Sequence, residues 1–406
     1  MGSFVLPFLS LYLTTVRHVP LLEVGAVLSA FGIGSLAAPV VGGILADRLG
    51  RKLIITVSLV SSGALLIPVY FAPNTDVLWA AVLVYGFALG LGRPAETAMV
   101  ADLIDVAHRR HAYALLFWAT NLGFAIAMVA AGFLVSHHAS LMFLADGSSC
   151  VVGALVVLAG THDSTRRLRR VASNAPAPRD SLSLAPPSSG ANDVRPPGLR
   201  TALRDPLLMG ITLLALAYAT LYQQASVTLP LAMVRSGLSP AAYGIDIAVN
   251  GVLIVVLQPL LSRFVNRVGR MQLLSASTLV VGIGFASSAL AHSTLGYGAS
   301  VVVWSIGEVG TAGILSSVVA DIAPRSARAR YAGVQNSSWG VARLVAPICG
   351  IAVLHAWGSA WLFVACGIDG TVCAAGYLAL TRPLGRRLQR DRQGRLRAPT
   401  SNEWRH

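Results

Sequence analysis

Charged residues are scarce in this chain of 406 residues, where they account for 12% of the composition, against about a quarter in an average soluble domain. Hydrophobic residues account for 55%. A soluble protein of this length would need far more polar surface to cover its core. The composition therefore argues against a soluble enzyme, a nucleic-acid-binding protein and a disordered regulator.

Signatures of catalysis and of metal binding are also missing. The sequence contains no G-x-x-x-x-G-K, G-x-S-x-G or H-E-x-x-H motif, so no such pattern indicates ATP hydrolysis, nucleophilic catalysis or a zinc site. The four cysteines form no C-x-x-C pair and lie inside apolar runs, which is typical of small core residues. We therefore predict that the protein is not an enzyme and holds no cofactor or metal ion.

Long apolar stretches, by contrast, recur along the whole chain. A helix that spans a bilayer needs about 20 mostly apolar residues. Eleven stretches meet this requirement: 22–46, 53–72, 76–100, 112–135, 139–160, 207–231, 241–262, 271–291, 296–320, 332–355 and 358–380.

A further apolar stretch, residues 3–16, precedes these eleven and is counted here as the first span. It has only 14 residues, which rise about 21 Å as a helix, against a hydrocarbon core of about 30 Å. Either it is an interfacial segment or the sequence begins inside the first helix. We favour the second interpretation, because the repeat described below requires an even number of spans.

Basic residues lie almost entirely on alternate connections between the spans. The connections 47–52, 101–111, 161–206, 263–270, 321–331 and 381–406 hold 27 of the 31 Arg and Lys residues. Because cytosolic loops carry the excess of positive charge in membrane proteins, these connections and both chain ends are predicted to be cytosolic. The net charge of +14 then reflects orientation and attraction to anionic headgroups rather than nucleic-acid binding.

A segment of different composition divides the chain. Residues 161–206 are rich in Pro, Ser, Ala and Asn and cannot bury much apolar area, so we predict a flexible cytosolic linker there. The linker separates an N-terminal six-helix bundle, 1–160, from a C-terminal six-helix bundle, 207–380. Residues 381–406 are predicted to form a basic cytosolic tail.

The two halves also repeat in sequence. DRLGR at 47–51 matches NRVGR at 266–270, and VADLID at 100–105 matches VADIAP at 319–324, both at an offset of 219 residues. Two matches at one offset indicate parallel repeats. A pair of six-helix halves with a binding site between them is the organisation of a secondary transporter.

The connection after the second span carries a ten-residue motif. Residues 43–52 fit the pattern G-x-L-A-D-R-x-G-R-K and resemble the signature loop of the major facilitator superfamily. The resemblance implies an all-α membrane protein with two six-helix bundles related by a pseudo-two-fold axis, and it extends to the drug:proton antiporter branch. The fifth span has small residues such as Gly123 and Gly132, but it lacks the proline of that branch's G-x-x-x-G-P-x-x-G-G motif. The direction of transport therefore stays open.

The same resemblance implies a conformational latch that helps to hold the two halves together in the outward-facing state. Asp47, Arg51 and Asp102 would form a charge cluster, and its repeat would be weaker because Asn266 replaces the first acid. The alternative is that these residues only set the topology and cap loops. The latch residues are Gly43, Asp47, Arg48, Gly50, Arg51, Asp102, Arg270 and Asp321.

Ionisable groups inside the membrane are costly and are functional candidates by default. Arg93 and Glu96 share one face of the fourth span, with Pro94 between them to kink the helix. They form either a gate or substrate-charge site, or a self-neutralising pair that only packs the spans. Glu308, midway along the tenth span, is the strongest candidate for proton coupling or for binding a cationic substrate. Arg343 in the eleventh span lies at similar depth, and pairing with it would make Glu308 structural.

Polar side chains on other spans complete the candidate site. In the superfamily, spans 1, 4, 7 and 10 line the cavity, and spans 2, 5, 8 and 11 flank it. An aromatic and amide lining suits an amphiphilic organic substrate, although ordinary packing explains the same residues. Asp246 and Asn250 are assigned to the outer vestibule. The polar lining candidates are Asn121, Tyr222, Gln223 and Asn336.

The sequence therefore predicts a secondary active transporter that works by alternating access, with Glu96 and Glu308 as coupling groups. Proton-coupled export of a small organic compound or drug is the favoured function. Proton-coupled uptake of a nutrient is the alternative, and a non-transporting membrane sensor is a third hypothesis. We expect a monomer in a bacterial plasma membrane whose partners are a small-molecule substrate, protons and lipid.

Overall fold

A computed structural model describes most of the chain. The described residues are 4–105, 108–160, 199–265, 268–311, 313–324 and 327–397. Within these ranges the chain is helical and contains no β-strand, which confirms the prediction of an all-α protein. Most of the predicted linker, the repeat residue Asn266 and the end of the predicted tail lie outside the described residues.

The helices follow the predicted spans. Among the described residues, ten helices are long and apolar enough to cross a membrane, and the last of them contains both the eleventh and the twelfth span. The first helix is short and continues as a π-helical turn, Tyr12–Val16. The helices are Val5–Leu11, Leu21–Leu49, Arg51–Phe71, Thr75–Leu103, Arg109–His137, Ala139–Gly160, Leu199–Leu203, Pro206–Val227, Leu229–Arg235, Pro240–Val265, Arg270–Ser287, Thr294–Thr311, Ile314–Ile322 and Arg328–Arg397.

Three breaks interrupt the long helices. The seventh span is divided at Thr228, and Pro230, which has no backbone N–H to donate, lies at the start of the second piece. The tenth span is divided before Ile314, where Gly313 has φ of +73°. Gly358, with φ of +83°, breaks the last helix between the eleventh and twelfth spans. The apolar pattern predicts the seventh and tenth spans as continuous, because hydropathy alone does not register a local change of backbone conformation.

Backbone contacts divide the chain into two compact units. Unit 1 comprises Met1–Arg195, Ser226–Ala248 and Arg343–His355, and unit 2 comprises Pro196–Ala225, Val249–Ala342 and Ala356–His406. Unit 1 therefore contains Arg93, Glu96 and Arg343, whereas Glu308 belongs to unit 2.

In unit 1, glycines allow the second and fourth spans to pack with their backbones in contact. A Cβ atom added at Gly34 would collide with the carbonyl oxygen of Leu83, and one added at Gly42 would collide with that of Leu91. The motif residue Gly43 has room for a Cβ, whose nearest neighbour would be a side-chain atom of Pro94 at 4.0 Å. The glycine that close packing requires is therefore Gly42.

The glycines of the fifth span likewise differ in whether they contact a neighbouring helix. A Cβ atom at Gly132 would lie 2.9 Å from the carbonyl oxygen of Pro240, and one at Gly244 would collide with the carbonyl of Met128. No described atom lies within 4 Å of the Cβ position of Gly123. Close packing in this part of unit 1 therefore involves Gly132 and Gly244, and Gly123 takes no part in it.

Gly34→Ala and Gly123→Ala form a matched pair of substitutions for this packing. We expect Gly34→Ala to destabilise the protein by roughly 1–3 kcal/mol, because the second and fourth spans must separate to admit a methyl group. Gly123→Ala should be neutral or slightly stabilising, since alanine is the better helix former. Thermal unfolding in detergent measures both, and equal unfolding temperatures would contradict the packing described for the two spans.

In unit 2, Asp205 joins three helices near one end of the seventh span. One carboxylate oxygen accepts the backbone N–H of Leu207 at 3.1 Å and so caps the helix Pro206–Val227. The other accepts the Tyr331 hydroxyl at 2.8 Å and the Arg387 guanidinium at 2.6 Å. Arg387 also donates to the carbonyl of Ile322 at 3.1 Å. The C-terminal helix is therefore fixed at Arg387, within the segment that the sequence predicts as a basic tail.

The Asp205 cluster predicts how stability depends on pH. Burial acts to raise the pKa of Asp205, but the hydrogen bonds from Tyr331 and Arg387 outweigh it and lower that pKa below its usual value. The carboxylate therefore stabilises the fold at neutral pH, and this contribution disappears as the pH falls below about 4. We expect Arg387→Gln to lower the free energy of unfolding at pH 7 by roughly 1–3 kcal/mol, and the difference from wild type to shrink in acid.

The neighbouring Arg386 provides the control for this prediction. Its side chain is exposed, so Arg386→Gln removes the same charge without touching the cluster and should leave the unfolding temperature unchanged. Equal effects of the two substitutions, measured by thermal unfolding in detergent, would show that charge alone matters and not the bond to Asp205.

Candidate functional site

Glu308 is the centre of a polar cluster in unit 2. The hydroxyl of Tyr222 donates to one carboxylate oxygen at 2.6 Å, and the amide nitrogen of Asn250 donates to the other at 2.8 Å. These two partners come from the seventh and eighth spans. Both are neutral, and no ion pair joins Glu308 to a basic residue within the described part of unit 2.

Asn250 is held in place by its own partner. Its amide nitrogen also donates to the Ser305 hydroxyl at 2.9 Å, and that hydroxyl donates to the carbonyl of Val301 at 2.6 Å. The Asn250 side chain is buried, with 5% exposed. Sequence reasoning assigned Asn250 to an outer vestibule and did not connect it with Glu308. The available signal was the presence of an amide in the interior of an otherwise apolar span.

Aromatic rings surround the hydroxyl that binds Glu308. The ring of Tyr222 lies 5.8 Å from that of Trp339 and 6.0 Å from that of Trp304, both edge-to-face. Tyr218 lies 6.3 Å from Trp339 and bonds Thr311 through its hydroxyl at 3.2 Å. The rings make one side of the cluster apolar.

The cluster can hold Glu308 in either protonation state. An ionised carboxylate accepts from a hydroxyl and an amide, whereas a protonated carboxyl adds one O–H donor of its own, which the Tyr222 oxygen can accept. The side chain of Glu308 is half-buried. A proton can therefore be exchanged at this carboxyl while the hydrogen bonds rearrange rather than disappear.

Arg93 and Glu96 lie on one helix in unit 1 but do not pair. Arg93 is exposed and Glu96 is half-buried, and among the described residues no ion pair within 4 Å joins them. Of the two interpretations of this pair, the geometry gives no support to self-neutralisation.

A hydroxyl from the third span bonds the backbone of the fourth span just before Pro94. Ser58 accepts the backbone N–H of Gly92 at 3.1 Å and donates to the carbonyl of Ala88 at 2.7 Å. These two backbone groups would bond to each other in a regular helix. A side chain inserted into the backbone ladder is a common cause of helix bending, and Pro94 follows two residues later. Sequence reasoning found Pro94 and missed Ser58.

Arg343 belongs to unit 1, whereas Glu308 belongs to unit 2. The backbone at Arg343 packs against Gly32, where a Cβ atom would lie 2.6 Å from the Arg343 carbonyl. Ser29 donates to the carbonyl of Leu344, the next residue, at 2.8 Å. Arg93 is close enough for its positive charge to act on that of Arg343.

The remaining lining candidates differ in their surroundings. The amide of Asn121 donates to the carbonyl of Phe117 on its own helix at 2.9 Å. Gln223 is half-buried and Asn336 is exposed. These three side chains are not part of the hydrogen-bonded cluster at Glu308 as the structure describes it.

The latch candidates form two equivalent ion pairs, one in each unit. Arg51 pairs with Asp102 and also donates to the carbonyl of Ala98 at 2.7 Å. Arg270 pairs with Asp321 at the corresponding repeat positions. The structure thus pairs Arg51 with Asp102, two members of the charge cluster that the family resemblance implies, and it pairs the equivalent residues of the second half.

The other latch residues surround the first ion pair in sequence. Gly50 has φ of +105°, which favours glycine, and separates the helix Leu21–Leu49 from Arg51–Phe71. The side chains of Asp47 and Arg48 are exposed. Among the described residues, Asp47 enters no ion pair, so the expected cluster of three charges is present as the pair of Arg51 and Asp102.

Comparison with known proteins assigns the chain to a family. The model of the Major Facilitator Superfamily matches residues 1–341 and 226–406. A Na(+), Li(+), K(+)/H(+) antiporter of Planococcus maritimus is 22% identical over 398 residues, which cover 92% of this chain and 91% of that protein. The quinolone resistance protein NorA of Staphylococcus aureus is 24% identical over 161 residues, 40% of this chain and 41% of that protein.

Solved structures share the fold. A POT family transporter in complex with 5-aminolevulinic acid has a TM-score of 0.73 at 14% identity, with 94% of this chain and 93% of that chain covered. The nucleoside transporter NupG has a TM-score of 0.68 at 14% identity, with 93% and 95% covered. With its family match, its apolar helices and this shared fold, the chain belongs to the major facilitator superfamily and is a multi-pass membrane transporter rather than an enzyme.

Proposed function

We propose that the protein is a proton-coupled secondary transporter that exports a small organic compound by alternating access, with Glu308 as the group that takes up and releases the proton. The observation that carries this proposal is the pair of neutral hydrogen-bond partners of Glu308, Tyr222 and Asn250. The pattern of basic residues supports a plasma-membrane orientation with both chain ends in the cytosol.

The neutral partners favour Glu308 over an ion-paired carboxylate as the coupling group. A guanidinium next to a carboxylate stabilises the charged form and opposes protonation. A hydroxyl and an amide can bond both forms. Within the described part of unit 2, the titratable groups in contact with this carboxyl are Tyr218 and Tyr222, and a tyrosine is ordinarily uncharged at neutral pH. Glu96, which is half-buried and has no ion-pair partner within the described residues, remains the second candidate.

The aromatic wall supports an organic substrate. Tyr218, Tyr222 and Trp339 present ring faces and edges beside a carboxyl group, and such surfaces suit an amphiphilic compound. The name of NorA, a quinolone resistance protein, supports export as the direction. The ion pairs Arg51–Asp102 and Arg270–Asp321 serve in this proposal as latches that stabilise one of the transport states.

Glu308→Gln tests the coupling role. We expect this variant to lose transport driven by an imposed pH gradient, because glutamine keeps the size and hydrogen bonds of the carboxyl but cannot carry a proton. Substrate exchange without a gradient should persist, since it does not require net proton movement. The measurement uses inside-out vesicles and a panel of fluorescent amphiphilic compounds, with and without a pH gradient.

Asp369→Asn is the matched control for Glu308→Gln. It makes the same chemical change at another carboxyl within a span, and within the described residues Asp369 enters no hydrogen bond or ion pair. The control should retain gradient-driven transport. If the Glu308 variant keeps both its transport and its pH dependence, Glu308 does not couple protons.

Exchange of an alkali cation for protons is a second candidate function. Its supporting observation is the oxygen content of the cluster. The Glu308 carboxylate accepts from the Tyr222 hydroxyl and from the amide nitrogen of Asn250, and the same nitrogen donates to the Ser305 hydroxyl, so one carboxylate and two hydroxyls belong to one hydrogen-bonded chain. Hard cations prefer oxygen ligands. The relative from Planococcus maritimus, which matches over nearly the whole chain, carries such an activity in its name.

Addition of salt to the same vesicles decides between the two candidates. With a pH gradient established and followed by a fluorescent probe, we expect an organic substrate to dissipate the gradient and Na⁺, K⁺ or Li⁺ to have no effect. Dissipation by an alkali cation that is lost in Glu308→Gln would instead establish cation exchange. Choline chloride at equal ionic strength controls for salt itself.

A further inference from the structure

A groove on unit 1 lies between the helices Arg51–Phe71 and Ala139–Gly160. Its volume is about 630 Å³. Its walls are almost entirely apolar, and several of the side chains that line it are exposed on a surface that belongs to two membrane-spanning helices. They include Val60, Ala64, Ile67, Leu144, Val151 and Val152.

The floor of the groove is formed by two glycines. A Cβ atom at Gly63 would lie 3.0 Å from the carbonyl oxygen of Gly147, so the two helices approach closely along this line. The small residues Ala64 and Ser148 beside the glycines leave the space above the floor unfilled. Because both helices cross the membrane, this space opens to the hydrocarbon of the bilayer.

The length of the groove matches one leaflet. Its lining on the third span runs from Val60 to Phe71, a helical rise of about 16 Å. Half of a hydrocarbon core of about 30 Å is about 15 Å. A single acyl chain of a lipid in one leaflet therefore has the reach to fill the groove from end to end.

One end of the groove carries a guanidinium. Arg17 donates to the carbonyl of Tyr70, which lines the groove, at 3.1 Å, and to the carbonyl of Ala72. A guanidinium has five N–H donors, so these two bonds leave others available. Within the described residues no carboxylate pairs with Arg17, and Glu23, the next acidic residue in the sequence, accepts the Thr75 hydroxyl at 3.0 Å.

We propose that this groove binds an anionic phospholipid, with an acyl chain between the two helices and the phosphate on Arg17. Planar guanidinium groups match phosphate oxygens in geometry as well as charge. Arg17 is also outside the connections that the charge pattern assigns to the cytosol, so its position is not explained by the general excess of positive charge there. The site is separate from the Glu308 cluster, which lies in unit 2, and does not depend on the proposed transport function.

Native mass spectrometry of the full chain tests the site. Phosphatidylglycerol and phosphatidylcholine with identical acyl chains are titrated onto the delipidated protein in detergent. We expect tighter retention of phosphatidylglycerol, and a loss of about fivefold in its affinity in Arg17→Gln, the effect expected from one basic residue facing an anionic headgroup. Arg235→Gln is the matched control, because Arg235 also donates to a backbone carbonyl, that of Leu354 at 3.1 Å, and lies elsewhere.

A second variant keeps the proposal testable if Arg17→Gln fails to fold. Ala64→Phe fills the groove and leaves Arg17 intact, so it should weaken binding of both lipids. Ala130→Phe, at an exposed position of the fifth span, should not. Equal affinity of the wild type for the two lipids, unchanged binding in Ala64→Phe, or a dimer that Ala64→Phe disrupts would each overturn the assignment to an anionic lipid.

Discussion

The hydrocarbon core of a bilayer offers no hydrogen-bond donors or acceptors, and this constraint governs every polar side chain that the spans contain. Several of these groups have a partner from within the protein. Glu308 has Tyr222 and Asn250, and Ser58 bonds the backbone of the fourth span. Asp146, which is almost fully buried, accepts the backbone N–H of Val5 at 3.2 Å. These hydrogen bonds therefore identify helices that pack against each other.

Helices must approach closely for such bonds to form, and in lipid no hydrophobic effect draws them together. The contacts are made instead by backbones that touch at glycines, as at Gly34 and Gly42 between the second and fourth spans. Close backbone contact at glycines has a second consequence between the third and sixth spans. Gly63 and Gly147 bring these helices together while their small neighbours leave a groove open to lipid.

The parts of the structure that sequence reasoning could predict are those with a strong one-dimensional signal. Hydropathy located the helices. The family resemblance implied a charge cluster at Arg51 and Asp102, and the repeat placed Arg270 and Asp321 at the equivalent positions of the second half. Glu308 was conspicuous as an acid in an apolar span. Its partners were not predictable in the same way. The sequence marks Asn250 only as a polar residue in an apolar span. Its bond to Glu308 depends on the contact between the eighth and tenth spans, and that contact is set by tertiary packing.

The same limit applies to Asp205. It lies at the end of a segment whose composition predicts a flexible linker, and Arg387 lies in a predicted tail. Neither the linker composition nor the basic tail composition predicts that the two segments are in contact. A buried ion pair between segments distant in sequence is specified by the packing of the helices around it, here the capped start of Pro206–Val227 and the end of the tenth span.

The kind of partner also distinguishes carboxylates that stay charged from carboxyls that can exchange a proton. A carboxylate beside a guanidinium is stabilised in its charged form, so protonation has to break an ion pair. Such pairs occur near the ends of spans, where they can join helices without any change in protonation state. A carboxyl deep in a span that is bonded only by a hydroxyl and an amide can adopt both the protonated and the ionised state. In the proposed transport function, what distinguishes the coupling carboxyl from the ion-paired ones is therefore the neutrality of its neighbours rather than its depth alone. The ion-paired carboxylates are Asp102, Asp205 and Asp321.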